Sequence, residues 1–372
     1  MKHLLFLMLA PFMCLSCGNK GHKDLQTAYS MNLDTALQLL PEITDVECIP
    51  LETNDASLIA DIDKVLYCNK TFYVFDKVGK KVLLFDRQGN FLKSIHKIGQ
   101  GPGEYTEPCD MDVDGEGNIY LADWATQSII MYRSGDENNY EVNRIGAYFL
   151  DFAVVGNSVY LGLVYQEGEA RQNLVVWSKE KEKTMVLKNN LLLEGNKLPY
   201  RAKHYIFRSD DKVYYYERFN PYIYRLEEGK ADSCISFSSK KIPTEEEVKL
   251  WAQSDPEEQI QKSFQYIADV SACYETDDCI FIVFQSIPAS YGMIDKKSGM
   301  KYYVSSKDVA SIPAMGVCAI AEQSFVSYFN PADKKAEKVL HAISDTKKVE
   351  KLRALPEDAN PVLLLFKFKN RE

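Results

Sequence analysis

The 372-residue chain carries 44 Lys plus Arg against 53 Asp plus Glu, a formal net charge of −9, and no segment concentrates the basic residues. A phosphate-backbone partner needs an electropositive face, so no nucleic-acid partner is expected. The 23 Tyr and 18 Phe, with Val and Ile throughout and isolated Gly and Pro between them, favour many short strands over long helices.

Met1-Lys2-His3 is a short basic start, Leu4 to Met13 an apolar run, and Ser16-Cys17-Gly18 a small-residue ending. That run is too short for a permanent membrane span and has the layout of an export signal. The ending Leu15-Ser16-Cys17-Gly18 resembles the lipobox of bacterial lipoproteins, which implies lipid on Cys17; Cys14 departs from the aliphatic residue usual in that motif, and the alternative is an ordinary cleaved signal. Residues 18–45 read as tether and lead-in. The segment Gly18 to Asp24 has no acidic cluster of the kind that accompanies surface export in some Bacteroidetes lipoproteins, so the expected address is a lipid anchor in the bacterial envelope, on the periplasm-facing side of the outer membrane. No later run of eighteen apolar residues exists.

From residue 46 to 372 one theme recurs, a polar turn followed by a short β-branched or aromatic strand. Its copies are 69–76, 115–123, 156–162, 210–217, 276–283 and 321–328. Taking Asp76, Asp123, Leu163, Glu217, Val283 and Tyr328 as equivalent points, the steps are 47, 40, 54, 66 and 45 residues. Several strands per 40 to 50 residues predict an all-β, six-bladed β-propeller of four-stranded antiparallel blades.

Within the first unit, Val82 to Ile95 reads as two strands joined at Asp86-Arg87-Gln88-Gly89, with the glycine at a positive-φ position. The following text, "HKIGQGPGEYTEP" from His96 to Pro108, is glycine-rich but not a phosphate cradle. Glu104 stands where a dinucleotide fingerprint needs its last glycine, and the next segment is a strand. Gly99, Gly101 and Gly103 therefore predict a crossing between blades. The long 66-residue step holds a helical insertion at about 242–264, announced by the capping box Thr244/Glu247 and by Pro256 at a second helix start.

Beyond Cys14 and Cys17 there are seven cysteines, an odd number at irregular spacing, which predicts buried thiols; Cys273 and Cys279 flank a polar turn and are the one pair that a hairpin would bring face to face.

The lipoprotein start, Ile49-Pro-Leu-Glu-Thr53, the Phe85-Asp86, Gly89 and Phe91 text, Gly101-Pro-Gly-Glu-Tyr105 and the ending Asn360 to Phe368 together resemble the six-bladed β-propeller lipoproteins of Bacteroides-type bacteria, relatives of NHL-repeat propellers. The resemblance covers residues 46 to 369. It implies fold and address, with ring closure by pairing of Cys48 to Leu51 with Val362 to Phe368, and carries over no catalytic residue.

No nucleophile elbow, His-Glu-x-x-His or Cys-x-x-Cys occurs, and His96, His204 and His341 are far apart. By analogy of fold, ligands would meet the chain at the channel mouth, where segments 103–114, 148–155, 199–210, 264–269 and 310–317 converge. These contribute Glu104, Tyr105, Glu107, Asp110, Asp112, Tyr148, Asp151, Tyr200, Arg201, His204, Arg208, Tyr266 and Asp269. The foremost candidates are Tyr105, Glu107, Asp110, Tyr200, Arg201, His204 and Asp269. Tyrosines beside carboxylates and arginine suit a sugar or peptide, whereas gathered carboxylates would admit calcium; packing between blades and turn capping account for the same residues structurally. The expected function is a non-catalytic binding or scaffold lipoprotein for a glycan, peptide or envelope protein, with no cofactor required. The rival is a metal-dependent lyase or hydrolase of the NHL-like type.

Overall fold

A computed structural model of the chain describes residues 27–163, 174–178, 182–185, 205–263, 265–267, 269–286, 288–308, 316–333, 335–341, 343 and 345–369. Two strands come first in the chain, β1 (Tyr29–Asn32) and β2 (Ile43–Pro50), and both join blades built much later. Blade one is β3 (Lys64–Cys68), β4 (Thr71–Asp76), β5 (Lys81–Asp86) and β6 (Phe91–Ile95). Blade two is β7 (Pro108–Val113), β8 (Ile119–Asp123), β9 (Ser128–Tyr132) and β10 (Tyr140–Arg144). Blade three is β11 (Phe149–Val155), β12 (Ser158–Leu163), β13 (Leu174–Ser178) and β14 (Glu182–Met185). Blade four is β15 (Ile206–Ser209), β16 (Lys212–Tyr216), β17 (Tyr222–Glu227) and β18 (Lys230–Ser238). Blade five follows with β19 (Asp269–Glu275), β20 (Cys279–Gln285), β21 (Ser290–Asp295) and β22 (Lys301–Ser305). Blade six is β23 (Ala319–Ala321), β24 (Ser324–Phe329), β25 (Val362–Phe368) and, outermost, β2.

The protein is thus a six-bladed β-propeller, and all six copies of the repeated theme fall on the second strand of a blade. The turns before five of those strands use left-handed residues, Asn69 and Lys70, Gly117, Gly156, Asp210, and Glu322 with Gln323. The apolar core is divided into six main clusters, each between two neighbouring blades; Phe72, Phe85 and Val74 of blade one, for example, meet Leu363, Leu365 and Val326 of blade six. No blade buries both of its faces alone, so ring closure is a condition of stability.

Closure follows the expected pairing, with Cys48 opposite Leu364, Ile49 opposite Leu363 and Pro50 opposite Val362. On the far side of the same junction, Arg87 in the blade-one turn grips Glu47 of β2 through two bonds (2.7 and 3.1 Å) and Glu322 of blade six through its Nε (3.0 Å). The Asp86–Gly89 turn has Gly89 at φ +88°, with the Asp86 carboxylate accepting from Gln88 N and Asn90 N.

The glycine-rich stretch is the crossing from β6 to β7. Glu104 Oε2 accepts from Gly101 N (2.7 Å), a Cβ on Gly99 would sit 2.0 Å from that same oxygen, and Gly103 is at φ +71° against the Tyr140 ring. The insertion after blade four contains α1 (Glu245–Gln253), capped by the Thr244/Glu247 box, and α2 (Pro256–Ser263). Trp251 and Val248 of α1 pack on Phe219. A second helical insertion was not anticipated: α3 (Lys335–Leu340) and α4 (Thr346–Arg353) interrupt blade six between β24 and β25, α4 being capped by Asp345 and burying Val349 and Leu352.

The lead-in expected over 18–45 is part of the fold from Tyr29 onward. β1 adds a fifth strand, parallel to β18, on the rim of blade four; Asp34 then accepts from Ser239 Oγ and Lys240 N, and Leu37 bridges to Tyr302 on the rim of blade five. Met31 (2% exposed) and Leu33 (1%) plug the cluster shared by blades four and five. The described cysteines are all free thiols. Cys273 and Cys279 do not face each other: the register sets Cys273 opposite Ile282, which puts the two on opposite sheet faces, one in the cluster shared with blade four and the other in that shared with blade six. Burial raises their pKa values, Cys279 to about 12, so they remain inert thiols.

Two stability tests follow. Deleting residues 363–372 removes most of the strand that β2 and β24 both need, and is expected to abolish the cooperative thermal transition; a truncated chain melting near the full-length temperature would contradict ring closure. Met31→Asp places a charge in the rim cluster and is expected to cost about 3 kcal/mol or more in denaturant unfolding, whereas a true tether would show no change.

Candidate functional site

The six innermost strands β3, β7, β11, β15, β19 and β23 adjoin in sequence around the axis. They all start at one face of the ring, here called the mouth, and end at the other. An innermost strand pairs with its blade on one edge only, so its other edge presents amides to the axis that need acceptors. For β11, β15 and β19, side chains of the preceding blade supply them. Asp110 Oδ2 accepts from Phe152 N (3.1 Å) and Asp112 Oδ2 from Val154 N (2.7 Å), both on β11. Asp151 Oδ2 accepts from Tyr205 N (2.5 Å) and Ile206 N (3.0 Å) at the start of β15. Ser209 Oγ accepts from Glu275 N (2.6 Å) and donates to Glu275 O (3.0 Å), joining β15 to β19.

The cations of the channel serve the same ring. Lys64 of blade one donates to Asp110 Oδ1 (2.9 Å); burial opposes its charge, but the carboxylates of Asp110, Asp112 and Asp151 hold its pKa above the ordinary lysine value. Arg208 of blade four reaches Asp112 of blade two through Nε (2.5 Å) and a terminal nitrogen (2.6 Å), and gives a third bond to Val154 O of blade three (2.7 Å). One guanidinium thereby ties three blades. Asp269 accepts from Tyr205 Oη (2.9 Å) and Val270 N (3.2 Å), with Arg218 Nε at 3.9 Å. Strand pairing is irregular near Asp110, Asp151 and Asp269, where bulges open β7, β11 and β19 at their mouth ends.

The predicted site residues thus have several fates. Asp110, Asp112, Asp151 and Asp269 converge on the axis but are at most 2% exposed. Tyr105 is fully buried, its hydroxyl donating to Lys80 O (2.8 Å) and Ile95 O (3.1 Å). Glu104 holds the glycine crossing. Glu107 is exposed at the mouth, while its amide donates to Asp123 Oδ1 (2.6 Å). Tyr266 rests on Trp251 and donates to Glu247 Oε1 (3.0 Å), as part of the helical insertion. Cys17, Tyr200, Arg201 and His204 lie outside the described residues. Among the described residues no three His, Cys, Asp or Glu side chains form a group able to hold a metal ion.

Sequence reasoning passed over Lys64, Tyr205 and, at the rim of the mouth, Trp124. A usable signal existed for Trp124: it follows the second-strand copy that ends at Asp123, and every such copy ends at the mouth. Its ring packs on Tyr148 with centroids 5.0 Å apart and planes at 41°, and Tyr148 is 43% exposed. At the opposite, far face, Glu275 receives Lys212 Nζ and Lys296 Nζ (2.8 Å each) and the Tyr214 hydroxyl. Burial opposes ionisation there, yet these partners hold the Glu275 pKa down to about 2.

The chain belongs to a family whose description is "domain of unknown function (DUF4934)", matched over residues 24–367. No curated protein matches it in sequence. Among solved structures it is similar to a Bacteroides fragilis protein described as exported, at 18% identity and a TM-score of 0.73, covering 92% of this chain and 99% of that one. It is also similar to a member of the DUF4221 family from Bacteroides vulgatus, at 8% identity and a TM-score of 0.54, covering 90% and 100%. These likenesses concern the fold. Among the described residues no helix is long and apolar enough to cross a membrane.

The channel network makes two predictions. Asp112→Leu leaves Arg208 buried without its carboxylate and is expected to cost about 3–5 kcal/mol, while Asp112→Leu with Arg208→Met recovers a large part of that loss; equal losses in both variants would refute the keystone role. Because the folded-state pKa of Glu275 is depressed, its stabilising contribution is present above the unfolded value near 4.5 and is lost as pH falls towards 2. Glu275→Gln should therefore flatten the acid limb of a melting-temperature profile between pH 4.5 and 2, and an unchanged limb would contradict the ion cluster.

Proposed function

We propose that the protein is a non-catalytic, exported lipoprotein of the bacterial envelope, anchored through lipid on Cys17 and facing the periplasm from the outer membrane. Its propeller binds or scaffolds a glycan, peptide or protein partner at the channel mouth. Kinship with the NHL-like propeller lipoproteins is part of this reading. It is supported by the basic-apolar-small start of the sequence and by a structural relative described as exported.

One observation carries the binding reading over the enzymatic one. Four carboxylates converge on the axis, and each has oxygens engaged by strand amides, by cations or by a tyrosine hydroxyl. Groups so occupied hold blades in register and are poor candidates for the labile proton or open ligand position that hydrolysis or metal-assisted elimination requires. Among the described residues, what the mouth offers a visitor is its rim, where Tyr148 and Glu107 are exposed.

A ligand that binds only the folded state raises the midpoint of unfolding. Thermal unfolding of the chain from residue 20 onward, with calcium, zinc, oligosaccharides and peptides in separate trials, is expected to show a rise with a saccharide or peptide and none with metal alone; a metal-dependent rise would favour the lyase or hydrolase reading. Cys17→Ala is expected to move the full-length protein from the membrane pellet to the soluble fraction, and unchanged sedimentation would contradict lipidation there.

A further inference from the structure

We infer that Tyr148 and Trp124 form a stacking subsite for a saccharide ring on the mouth rim between blades two and three, with Glu107 beside it as a hydroxyl acceptor. The inference rests on the binding reading above and gives it a ligand class and a place.

Three backbone segments are locked together to build this platform. Asp123, fully buried at the end of β8, accepts from Thr106 N (3.2 Å), Glu107 N (2.6 Å) and Thr126 N (3.2 Å), so the crossing before β7 and the turn after β8 share one carboxylate. Trp124 N donates to Glu107 O (2.9 Å), which fixes the indole next to the residue whose carboxylate is exposed. Ile145 N and Gly146 N both donate to Gln127 O (2.9 and 3.3 Å), pulling the lead-in to β11, and with it Tyr148, against the same turn.

The phenol ring then leans on the half-buried indole, 5.0 Å between centroids, and remains 43% exposed on its outer side. An exposed, pre-positioned aromatic is costly in water unless something covers it, and it loses little side-chain freedom on binding. The chemistry around it selects the cover. Exposed Glu107 offers acceptors and exposed Arg144, beside the Gln127 junction, offers donors, so among the described residues this part of the rim carries both signs of charge. A neutral ring with an apolar C–H face and hydroxyls at its edge matches an aromatic platform bordered by both donor and acceptor groups.

The test uses immobilised neutral gluco-, manno-, galacto-, xylo- and N-acetylglucosamine oligosaccharides and a matched set of short peptides, probed with the folded soluble chain. Wild type is expected to retain at least one saccharide type, Tyr148→Phe to keep that affinity, and Tyr148→Ala to weaken it about tenfold with an unchanged melting temperature. Indole emission should shift on titration with the retained saccharide, and that response should vanish in Trp124→Phe while Trp177 and Trp251 remain. Retention of peptides but of no saccharide would overturn this inference and leave the binding reading standing. Saccharide retention unaffected by Tyr148→Ala would place the ligand elsewhere and overturn it equally. Retention of neither set would overturn this subsite and count against the binding reading itself.

Discussion

The inner edges of six short strands must find acceptors for their amides where no further strand can pair with them. This constraint organises the channel. Asp110 and Asp112 sit two residues apart on β7, on one side of the strand, and accept from Phe152 N and Val154 N, which are also two residues apart. The period of two on both strands makes the pair of carboxylates a register lock, since a slip of one residue would turn both away. Asp151 repeats the device towards blade four, and Ser209 towards blade five. A buried amide left without its acceptor costs about 1–3 kcal/mol, so each link is worth a sizeable part of a typical domain's net stability.

The outer rim faces the same problem in a different solvent. Edges there are open to water and to other chains, and the N-terminal segment covers part of them. β1 lies along β18, Leu37 bridges to Tyr302, and β2 completes blade six, so one stretch of about twenty residues fastens blades four, five and six in turn. Inner stitching by carboxylates and outer strapping by backbone pairing are complementary: the first sets the angle between neighbours, the second prevents the last blades from peeling away. Arg87, bonded to Glu47 and Glu322, ties blade one to both the closing strand β2 and the turn before β24 at the junction between blades six and one.

Much of this was legible in the residues. The period of the second-strand theme gave the blade count, because each blade repeats the same turn and the same buried strand whatever its loops do. The capping box at Thr244 and Glu247 gave the insertion, because a cap is a local interaction. The helices inside blade six escaped because 335–353 is highly charged, and among its described side chains only Val339, Leu340, Val349 and Leu352 are buried apolar ones. The strap escaped for a different reason: Tyr29 to Asn32 has no neighbour in sequence to pair with, and its partner β18 lies about two hundred residues away. The pairing of Cys273 with Cys279 failed on register, which a hairpin's turn sets and residue spacing alone does not.

The site was legible in kind but not in role. Residue types alone made Asp110, Asp112, Asp151 and Asp269 look like a ligand constellation, and their convergence on the axis is real. Their partners change the meaning. A carboxylate that receives two strand amides, or an arginine fork, sits at an energetic minimum made by the fold, and a ligand would have to replace those bonds before adding any of its own. Tyr148 is the opposite case: the fold holds its position through the Asp123 and Gln127 junctions while leaving nearly half of the side chain uncovered. In a ring whose inner polar groups are engaged in holding the blades together, the residue that is positioned but not covered is the better guide to recognition, and it lies on the rim rather than on the axis.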